Sequence, residues 1–201
     1  MTRINYVENM KAVTIMNCLT PWFASAAIVL SGTVITRAED NQTAATKPRC
    51  AVTAGQQAPA FQARTMEGQT INFPDDYKGK VVLLDFWATW CGPCRKELPN
   101  VTAAHQKYHT NGFDVVSVSL DMPKQGPVLL QFIKEQKMTW PQIYDGGYWK
   151  AAVAVKYGVR SIPCPVLVDG DTGIVLAVGA DAVGRRLIKV LESALAAKNK
   201  K

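Results

Sequence analysis

Apolar positions follow two different spacings along the chain, and each spacing predicts one kind of element. Two nearly continuous apolar runs, at 80–87 and 113–120, predict strands that are buried on both faces. Apolar residues three or four positions apart follow the first run and recur later in the chain, where they predict amphipathic helices. The first of these helices is expected to follow the first run and to extend to Tyr108. The others are expected at 127–137, 148–157 and 182–197.

Shorter apolar segments flank turn sequences and predict two hairpins. One joins 60–63 to 69–73, and the other joins 166–168 to 174–178 around the sequence DGDTG. Strands therefore alternate with helices before the chain ends in a hairpin and a helix. This order predicts an α/β fold with a mixed central β-sheet flanked by helices. The composition, 48% hydrophobic and 19% charged, is that of a packed domain.

The N-terminal segment follows neither spacing. No charged side chain occurs from 12 to 35, and its most apolar stretch has the length of the apolar part of a signal peptide. The whole run is also close to the roughly 20 apolar residues that span a bilayer as a helix. Residues 1–38 are therefore interpreted as a cleaved signal peptide or an N-terminal membrane anchor, with a loose cytosolic extension as the alternative. Residues 39–52 are predicted to form a linker, and 53–201 the folded domain.

Charge and cysteine content narrow the function classes. The net charge of +7 is mild, and the basic C-terminal tail is interpreted as solvated, so no nucleic-acid partner is expected. Both export interpretations of the N-terminus predict an extracytoplasmic (periplasmic) location, where disulfides persist. The five cysteines are an odd number and cannot all pair within one chain. Cys50 lies in the predicted linker and is interpreted as a spare thiol or as a site for an inter-chain or mixed disulfide.

The motif Cys91-Gly92-Pro93-Cys94 lies where a buried strand turns into a helix. Cys91 is placed at the helix N-terminus, where free N–H groups and the helix dipole stabilise a thiolate. The thiolate is the species that attacks disulfides. Cys94, one turn later, is placed to resolve the mixed disulfide. The motif therefore predicts a redox-active dithiol with Cys91 as the attacking thiol.

A buried acid precedes the dithiol. Asp85 lies within the apolar run, where desolvation raises the pKa of a carboxyl group. An acid of that kind beneath the dithiol could exchange a proton with Cys94, and a hydrogen-bonded structural Asp is the alternative. A zinc site needs further ligands, and the only histidines, His105 and His109, are interpreted as surface residues. No metal and no other cofactor is expected.

The segment 85–94, DFWATWCGPC, resembles the active-site strand and turn of the thioredoxin superfamily. The short motifs APAF, KGK and ELP on either side of it are similar to the exported, TlpA-like branch of that superfamily. The resemblance covers roughly 53–197. It implies a thioredoxin fold with an N-terminal extension and a helical insert between Asp121 and Asp145.

The same resemblance implies a cis-proline at Pro163, packed beside the dithiol, with Ile162 offering backbone hydrogen bonds to an extended substrate segment. Cys164 follows directly and departs from the family pattern. The resemblance places this third sulfur close to the dithiol, where it either fills space or forms an alternative disulfide with Cys91. Glu97 is interpreted as a solvated residue of the helix. The implied substrate contacts, in chain order, are Trp90, Gly92, Pro93, Ile162 and Pro163.

These observations predict a thiol-disulfide oxidoreductase, most simply a reductase of protein disulfides such as those of apocytochrome c. Its expected partners are protein disulfides and a membrane or soluble electron donor. One alternative is a peroxiredoxin-like peroxidase, but the Thr/Ser position of that frame is Ala88 here. Another is a redox-inactive or metal-carrying binding module on the same fold. The sequence does not determine the redox potential, and so leaves the direction of electron flow open.

Overall fold

The computed structural model describes residues 49–200. The predicted signal peptide or anchor and residues 39–48 of the predicted linker lie outside these residues. Within them, no helix is both long enough and apolar enough to cross a bilayer. The strands in chain order are β1 (Phe61–Arg64), β2 (Thr70–Phe73), β3 (Val81–Trp87), β4 (Phe113–Ser119), β5 (Gln142–Ile143), β6 (Cys164–Asp169) and β7 (Val175–Val178).

Four α-helices accompany the strands: α1 (Gly92–Tyr108), α2 (Gly126–Glu135), α3 (Ala152–Lys156) and α4 (Gly184–Lys198). Short 3-10 turns occur at Asp75–Tyr77, His109–Asn111, Tyr148–Lys150 and Gly179–Ala182.

The central sheet has five strands in the order β5-β4-β3-β6-β7. β3 pairs parallel with β4 and antiparallel with β6, β4 pairs parallel with β5, and β7 pairs antiparallel with β6. β1 and β2 form a separate antiparallel pair. The first four residues of β3 are completely buried, as expected for a central strand covered on both faces. The predicted mixed sheet flanked by helices is confirmed.

Two segments differ from the predicted elements. The helix expected at 148–157 is divided into a 3-10 turn and the short helix α3, because Ala151 between them has an extended backbone conformation. β5 has only two residues and no apolar alternation of its own, so no pattern indicated it. Its place at the sheet edge comes from parallel pairing with β4, which is a tertiary contact.

The segment just before the predicted domain also differs from expectation. Residues 49–52, here called the N-terminal strap, lie against the chain between Tyr157 and Arg160. Ala51 N donates to Tyr157 O at 3.0 Å, and Arg160 N donates to Arg49 O at 2.8 Å. A Cβ atom added at Gly158, where φ is +58°, would lie 2.5 Å from Ala51 Cβ. The close fit shows why a residue without a side chain is needed at that position.

Candidate active site

The dithiol lies where β3 ends and α1 begins. Cys91 is the N-cap of α1, with φ −80° and ψ 100°, and its N–H donates to Ala88 O at 3.1 Å. Its Sγ accepts the N–H of Cys94 at 3.2 Å. Cys91 and Cys94 form a disulfide with their Cα atoms 5.3 Å apart. The attacking sulfur thus occupies the position where a helix N-terminus offers a hydrogen-bond donor to a developing thiolate.

A buried aspartate that the sequence analysis did not single out holds the turn before Cys91. Asp121, completely buried just after β4, accepts hydrogen bonds from the backbone N–H of Thr89, at 3.1 Å, and from its hydroxyl, at 2.5 Å. Ser119 Oγ donates to the same carboxylate at 2.7 Å. The only signal in the sequence is an acid directly after a buried strand. Its role is to fix the loop that presents Cys91.

The surface beside the dithiol is open and aromatic. Trp90 is 43% exposed and contacts Tyr148 and Trp149, with ring centroids 5.7 and 6.1 Å away. Gly92 and Pro93 are exposed, and a Cβ added at Gly92 would meet no atom within 4 Å. A partner chain can therefore approach the first turn of α1 closely. Tyr148 and Trp149 belong to the 3-10 turn that precedes α3.

Asp85 lies on β3 between Ser117 of β4 and Pro165 of β6. Burial raises the pKa of its carboxyl group to about 7, and the negative charge of Glu97 adds to this effect. Glu97 lies on α1, so part of the effect on Asp85 comes from the helix that carries the dithiol. The predicted rise in the pKa of Asp85 is confirmed, and its exchange of protons with Cys94 stays a prediction.

Glu97 is not the freely solvated residue that the sequence suggested. It is half-buried, and its carboxylate accepts hydrogen bonds from the backbone N–H of Gly184, at 2.6 Å, and from Asn100 Nδ2, at 3.0 Å. Gly184 is the first residue of α4. The contact with α4 is long-range in sequence, which explains why helix periodicity did not predict it. Glu97 thus joins α1 to α4 while its charge acts on Asp85.

The Ile162–Pro163 peptide bond is cis, as the resemblance implied. Arg49 of the N-terminal strap donates from Nη1 to Pro163 O at 3.3 Å. Cys164, the next residue, forms a disulfide with Cys50, with the Cα atoms 6.2 Å apart. The interpretation of Cys50 as a spare thiol is therefore wrong. Cys164 neither only fills space nor pairs with Cys91, because it is bonded to Cys50. The strap passes beside the proline loop, so two cysteines distant in sequence meet.

The interpretation of both histidines as surface residues is wrong for one of them. His105 is buried, whereas His109 is exposed. Both lie near Asp114, a residue of β4 that the sequence analysis did not connect with them. Burial alone would raise the pKa of Asp114, but contacts with His105 and Lys80 and the N–H of Val115 outweigh it and lower this pKa to about 2.

Similarity to known proteins identifies the family of this chain. The sequence profile of the AhpC/TSA family matches residues 54–177. The chain belongs to this family.

Two curated relatives of this AhpC/TSA-family protein have names that refer to thiol-disulfide exchange or to thioredoxin. The thiol-disulfide oxidoreductase ResA of Bacillus thuringiensis subsp. konkukian (strain 97-27) is 30% identical over 138 residues, which are 69% of this chain and 76% of ResA. The thioredoxin-like protein YneN of Bacillus subtilis (strain 168) is 33% identical over 130 residues, covering 64% of this chain and 72% of YneN.

Solved structures of proteins with such names have a similar fold. The putative thiol:disulfide interchange protein DsbE of Chlorobium tepidum superposes with a TM-score of 0.60 at 30% identity, covering 72% of this chain and 99% of that one. The C-terminal domain of a putative thiol-disulfide oxidoreductase from Bacteroides thetaiotaomicron gives a TM-score of 0.63 at 28% identity, covering 71% of this chain and 96% of that domain. The predicted thioredoxin fold and superfamily are confirmed, and this AhpC/TSA-family chain is a thiol-disulfide oxidoreductase.

A wide cleft in this AhpC/TSA-family protein is formed by residues outside the dithiol turn. It has a volume of about 850 Å³ and is lined by strap residues, including Cys50, and by β7 and the turn that follows it. None of its lining residues belongs to the Cys91–Cys94 turn. The cleft therefore does not enclose the dithiol, whose neighbours Gly92 and Pro93 are exposed.

Proposed function

We propose that this protein reduces disulfides in other proteins through Cys91 and Cys94. The observation that carries the proposal is the position of Cys91: it is the N-cap of α1, and its Sγ accepts an N–H from Cys94. A reduced Cys91 in this position is a stabilised thiolate next to exposed surface. The names of the relatives support disulfide exchange as the chemistry.

The reaction proceeds in two exchange steps. The Cys91 thiolate attacks one sulfur of a substrate disulfide, which forms a mixed disulfide and releases the other substrate sulfur as a thiolate. The Cys94 thiolate then attacks Cys91 Sγ. The Cys91–Cys94 disulfide forms, and the second substrate sulfur leaves as a thiolate. Two electrons pass from the protein to the substrate, and a dithiol electron donor, membrane-bound or soluble, restores the reduced state.

Asp85 accepts and returns the proton of the Cys94 thiol in the second step. Its carboxyl group, with a pKa raised to about 7 by burial and by Glu97, exchanges protons readily near neutral pH. As a carboxylate it takes the proton from the Cys94 thiol, which makes Cys94 a nucleophile. It then returns this proton to the substrate thiolate that has left Cys91. The strand position of Asp85, six residues before Cys91, and the effect of Glu97 of α1 on its pKa support this role.

The substrate docks along the open surface beside Cys91. Trp90 offers an exposed ring, and Gly92 and Pro93 leave room for a partner backbone. Ile162 precedes the cis-proline Pro163 and offers backbone hydrogen bonds to an extended segment. Recognition by backbone and aromatic contacts accepts many sequences, so unfolded clients such as apocytochrome c fit this site.

The proposed location is extracytoplasmic. The Cys50–Cys164 disulfide joins residues 114 positions apart and lies outside the dithiol motif. Structural disulfides of this kind form and persist in oxidising compartments. The uncharged, apolar N-terminal run supports the same location, as a signal peptide or as an anchor.

A trapping experiment tests the proposed reaction. The Cys94→Ser variant is expected to accumulate mixed disulfides with client proteins, because Cys91 can still attack but nothing resolves the adduct. The matched control is Cys91→Ser, which keeps one cysteine of the motif but removes the attacking thiol. Adducts should appear in an exported-protein extract with the first variant only. Equal adducts with both variants, or none with either, would contradict a Cys91 nucleophile acting on protein disulfides.

The direction of electron flow has its own test. Potentials of Cys-x-x-Cys proteins range from about −270 to about −120 mV. A reductase should lie towards the negative end, as measured by alkylation of Cys91 in dithiothreitol or glutathione buffers. A value near −120 mV would indicate an oxidase instead. Rapid turnover of hydrogen peroxide would favour the peroxidase alternative, and the alanine at position 88 argues against that result.

A further inference from the structure

Both histidines of the chain meet one carboxylate at the far end of α1. His105 Nε2 lies 3.6 Å and His109 Nδ1 lies 3.9 Å from Asp114 Oδ1. The two imidazole rings are neighbours, with centroids 4.5 Å apart. One ligand atom from each of the three residues lies within 4.8 Å of the others. Two imidazole nitrogens and one carboxylate oxygen therefore lie close together, and His109 Nδ1 also lies 3.3 Å from Phe113 O.

His105 is the least satisfied member of this cluster. The residue is only 8% exposed, and among the described residues its Nε2 has no hydrogen-bond partner. A buried polar atom without a partner destabilises the fold. The distance of 3.6 Å to Asp114 is too long for a hydrogen bond, although the two atoms face each other. A cation bound to Nε2 would satisfy this nitrogen.

These distances fit the ligands of a metal ion. Zinc–nitrogen and zinc–oxygen bonds of 2.0–2.2 Å at tetrahedral angles place neighbouring ligand atoms about 3.3–3.5 Å apart. The observed 3.6 and 3.9 Å exceed this range by only a few tenths of an ångström. His109 is exposed, so its side chain can make the adjustment. Imidazole and carboxylate are ligands that zinc and its neighbours in the first transition row accept.

Lys80 does not block the cluster. Its Nζ binds Oδ2 of Asp114 at 2.7 Å, whereas Oδ1 accepts the backbone N–H of Val115 at 2.9 Å and keeps a second lone pair for a cation. A partner on the free atom of a ligating group commonly fixes the orientation of that group. Trp140 packs on the His105 ring, with centroids 5.1 Å apart, and limits its rotation. The carboxylate and the buried imidazole are thus already oriented for a common ligand.

We propose that His105, His109 and Asp114 bind one divalent cation of the late first transition row, represented by Zn²⁺, with solvent in the remaining coordination position. The site is separate from the dithiol. His105 follows Cys91 by 14 residues, nearly all within α1, which corresponds to about 21 Å along the helix. Cation binding is therefore independent of disulfide exchange, and each can fail without the other.

Calorimetric titration with Zn²⁺ tests the site. The oxidised full chain carries Cys18→Ser, so that no free thiol competes for the metal. One Zn²⁺ per chain is expected, and His109→Gln should weaken binding tenfold or more. Because His109 is exposed, this variant should keep its fold and its disulfide-exchange activity. Gln106→Ala, an exposed neighbour on the same helix, is the matched control and should bind as the parent does.

Imidazole NMR gives a second measurement that does not depend on variants. The chain has two histidines, so only two sets of ring signals have to be resolved. Zn²⁺ should shift the ring-nitrogen signals of both, saturating at one equivalent. The proposal is overturned if neither ring responds, if the stoichiometry differs from one, or if His109→Gln binds Zn²⁺ as tightly as Gln106→Ala.

Discussion

The Cys91–Cys94 and Cys50–Cys164 disulfides are the same type of bond in two different structural environments. Their Cα atoms are 5.3 and 6.2 Å apart, both within the usual range for a disulfide, and all four residues are buried. Burial and distance therefore do not separate a reactive disulfide from a structural one. What differs is the element that carries each sulfur and the length of chain that each bond closes.

The first bond is local, and a helix N-terminus stabilises its attacking sulfur. Cys91 Sγ accepts the N–H of Cys94, and the neighbouring Gly92 is open to a partner. The second bond joins the strap to Cys164, a completely buried residue of β6 that pairs with Phe86 of the central strand. A thiolate at Cys91 therefore has a stabilising donor and room for a substrate, whereas Cys164 is enclosed in the sheet.

The largest expected effect is on activity. Cys91→Ser should reduce protein-disulfide reduction to the uncatalysed background, because the attacking thiolate is lost. The double variant Cys50→Ala/Cys164→Ala should keep activity within a few-fold of the parent at a temperature where it is folded. The measurement is the rate of reduction of a protein disulfide with dithiothreitol as electron source. Comparable losses in both variants would mean that the second disulfide also takes part in exchange.

The second expected effect concerns stability, for which the Cys50–Cys164 disulfide should matter more than the Cys91–Cys94 disulfide. Removing a bond that closes a loop of more than 100 residues costs about 4.7 kcal/mol by the chain-entropy relation, whereas a loop of about four residues corresponds to roughly 2 kcal/mol. Cys50→Ala/Cys164→Ala should therefore lower the free energy of unfolding more than Cys91→Ala/Cys94→Ala does. Guanidinium unfolding of both double variants in the oxidised state measures this. A larger loss in the dithiol variant would contradict the comparison.

The same contrast explains how much the sequence could predict. The dithiol, Asp85 and the buried strands are recognisable because their signals are local: a four-residue motif, an acid in an apolar run and continuous apolar stretches. The Cys50–Cys164 bond depends on a contact across 114 positions, which no local pattern carries. Asp121 and the Asp114 cluster were missed for the same reason, since their partners lie on other elements. The cis-proline came from family resemblance alone.

A third effect concerns Asp85, the acid proposed to exchange protons with Cys94. The pKa of Asp85 in the folded protein, about 7, exceeds the unfolded value of about 3.9, so the folded state binds a proton that the unfolded state has released. The free energy of unfolding should therefore fall as pH rises from about 4 to 7 and then level off. Asp85→Asn should remove this fall and be more stable above pH 7, by up to about 4 kcal/mol.

The same variant should exchange disulfides about 10²-fold more slowly near neutral pH, because Cys94 loses its proton acceptor. Unfolding and exchange rates measured from pH 4 to 9 test both parts. Leu84→Val, a neighbour on the same strand without a titratable group, is the control and should keep the pH dependence of the parent. A structural Asp85 would change stability without changing the pH profile of exchange, and that outcome would remove the proton-transfer role.

The smallest expected effect asks whether the structural disulfide and the active site communicate. Arg49, next to Cys50, donates to the carbonyl of Pro163 at 3.3 Å, so the strap touches the loop proposed to dock substrates. Arg49→Gln removes an exposed hydrogen bond worth about 1 kcal/mol, and should raise KM for a protein disulfide a few-fold with kcat nearly unchanged. Arg160→Gln removes an exposed arginine whose backbone N–H, not its side chain, bonds the strap, and it should change neither constant. If both variants behave as the parent, the strap serves stability alone, and the two disulfides are independent in function as well as in chemistry.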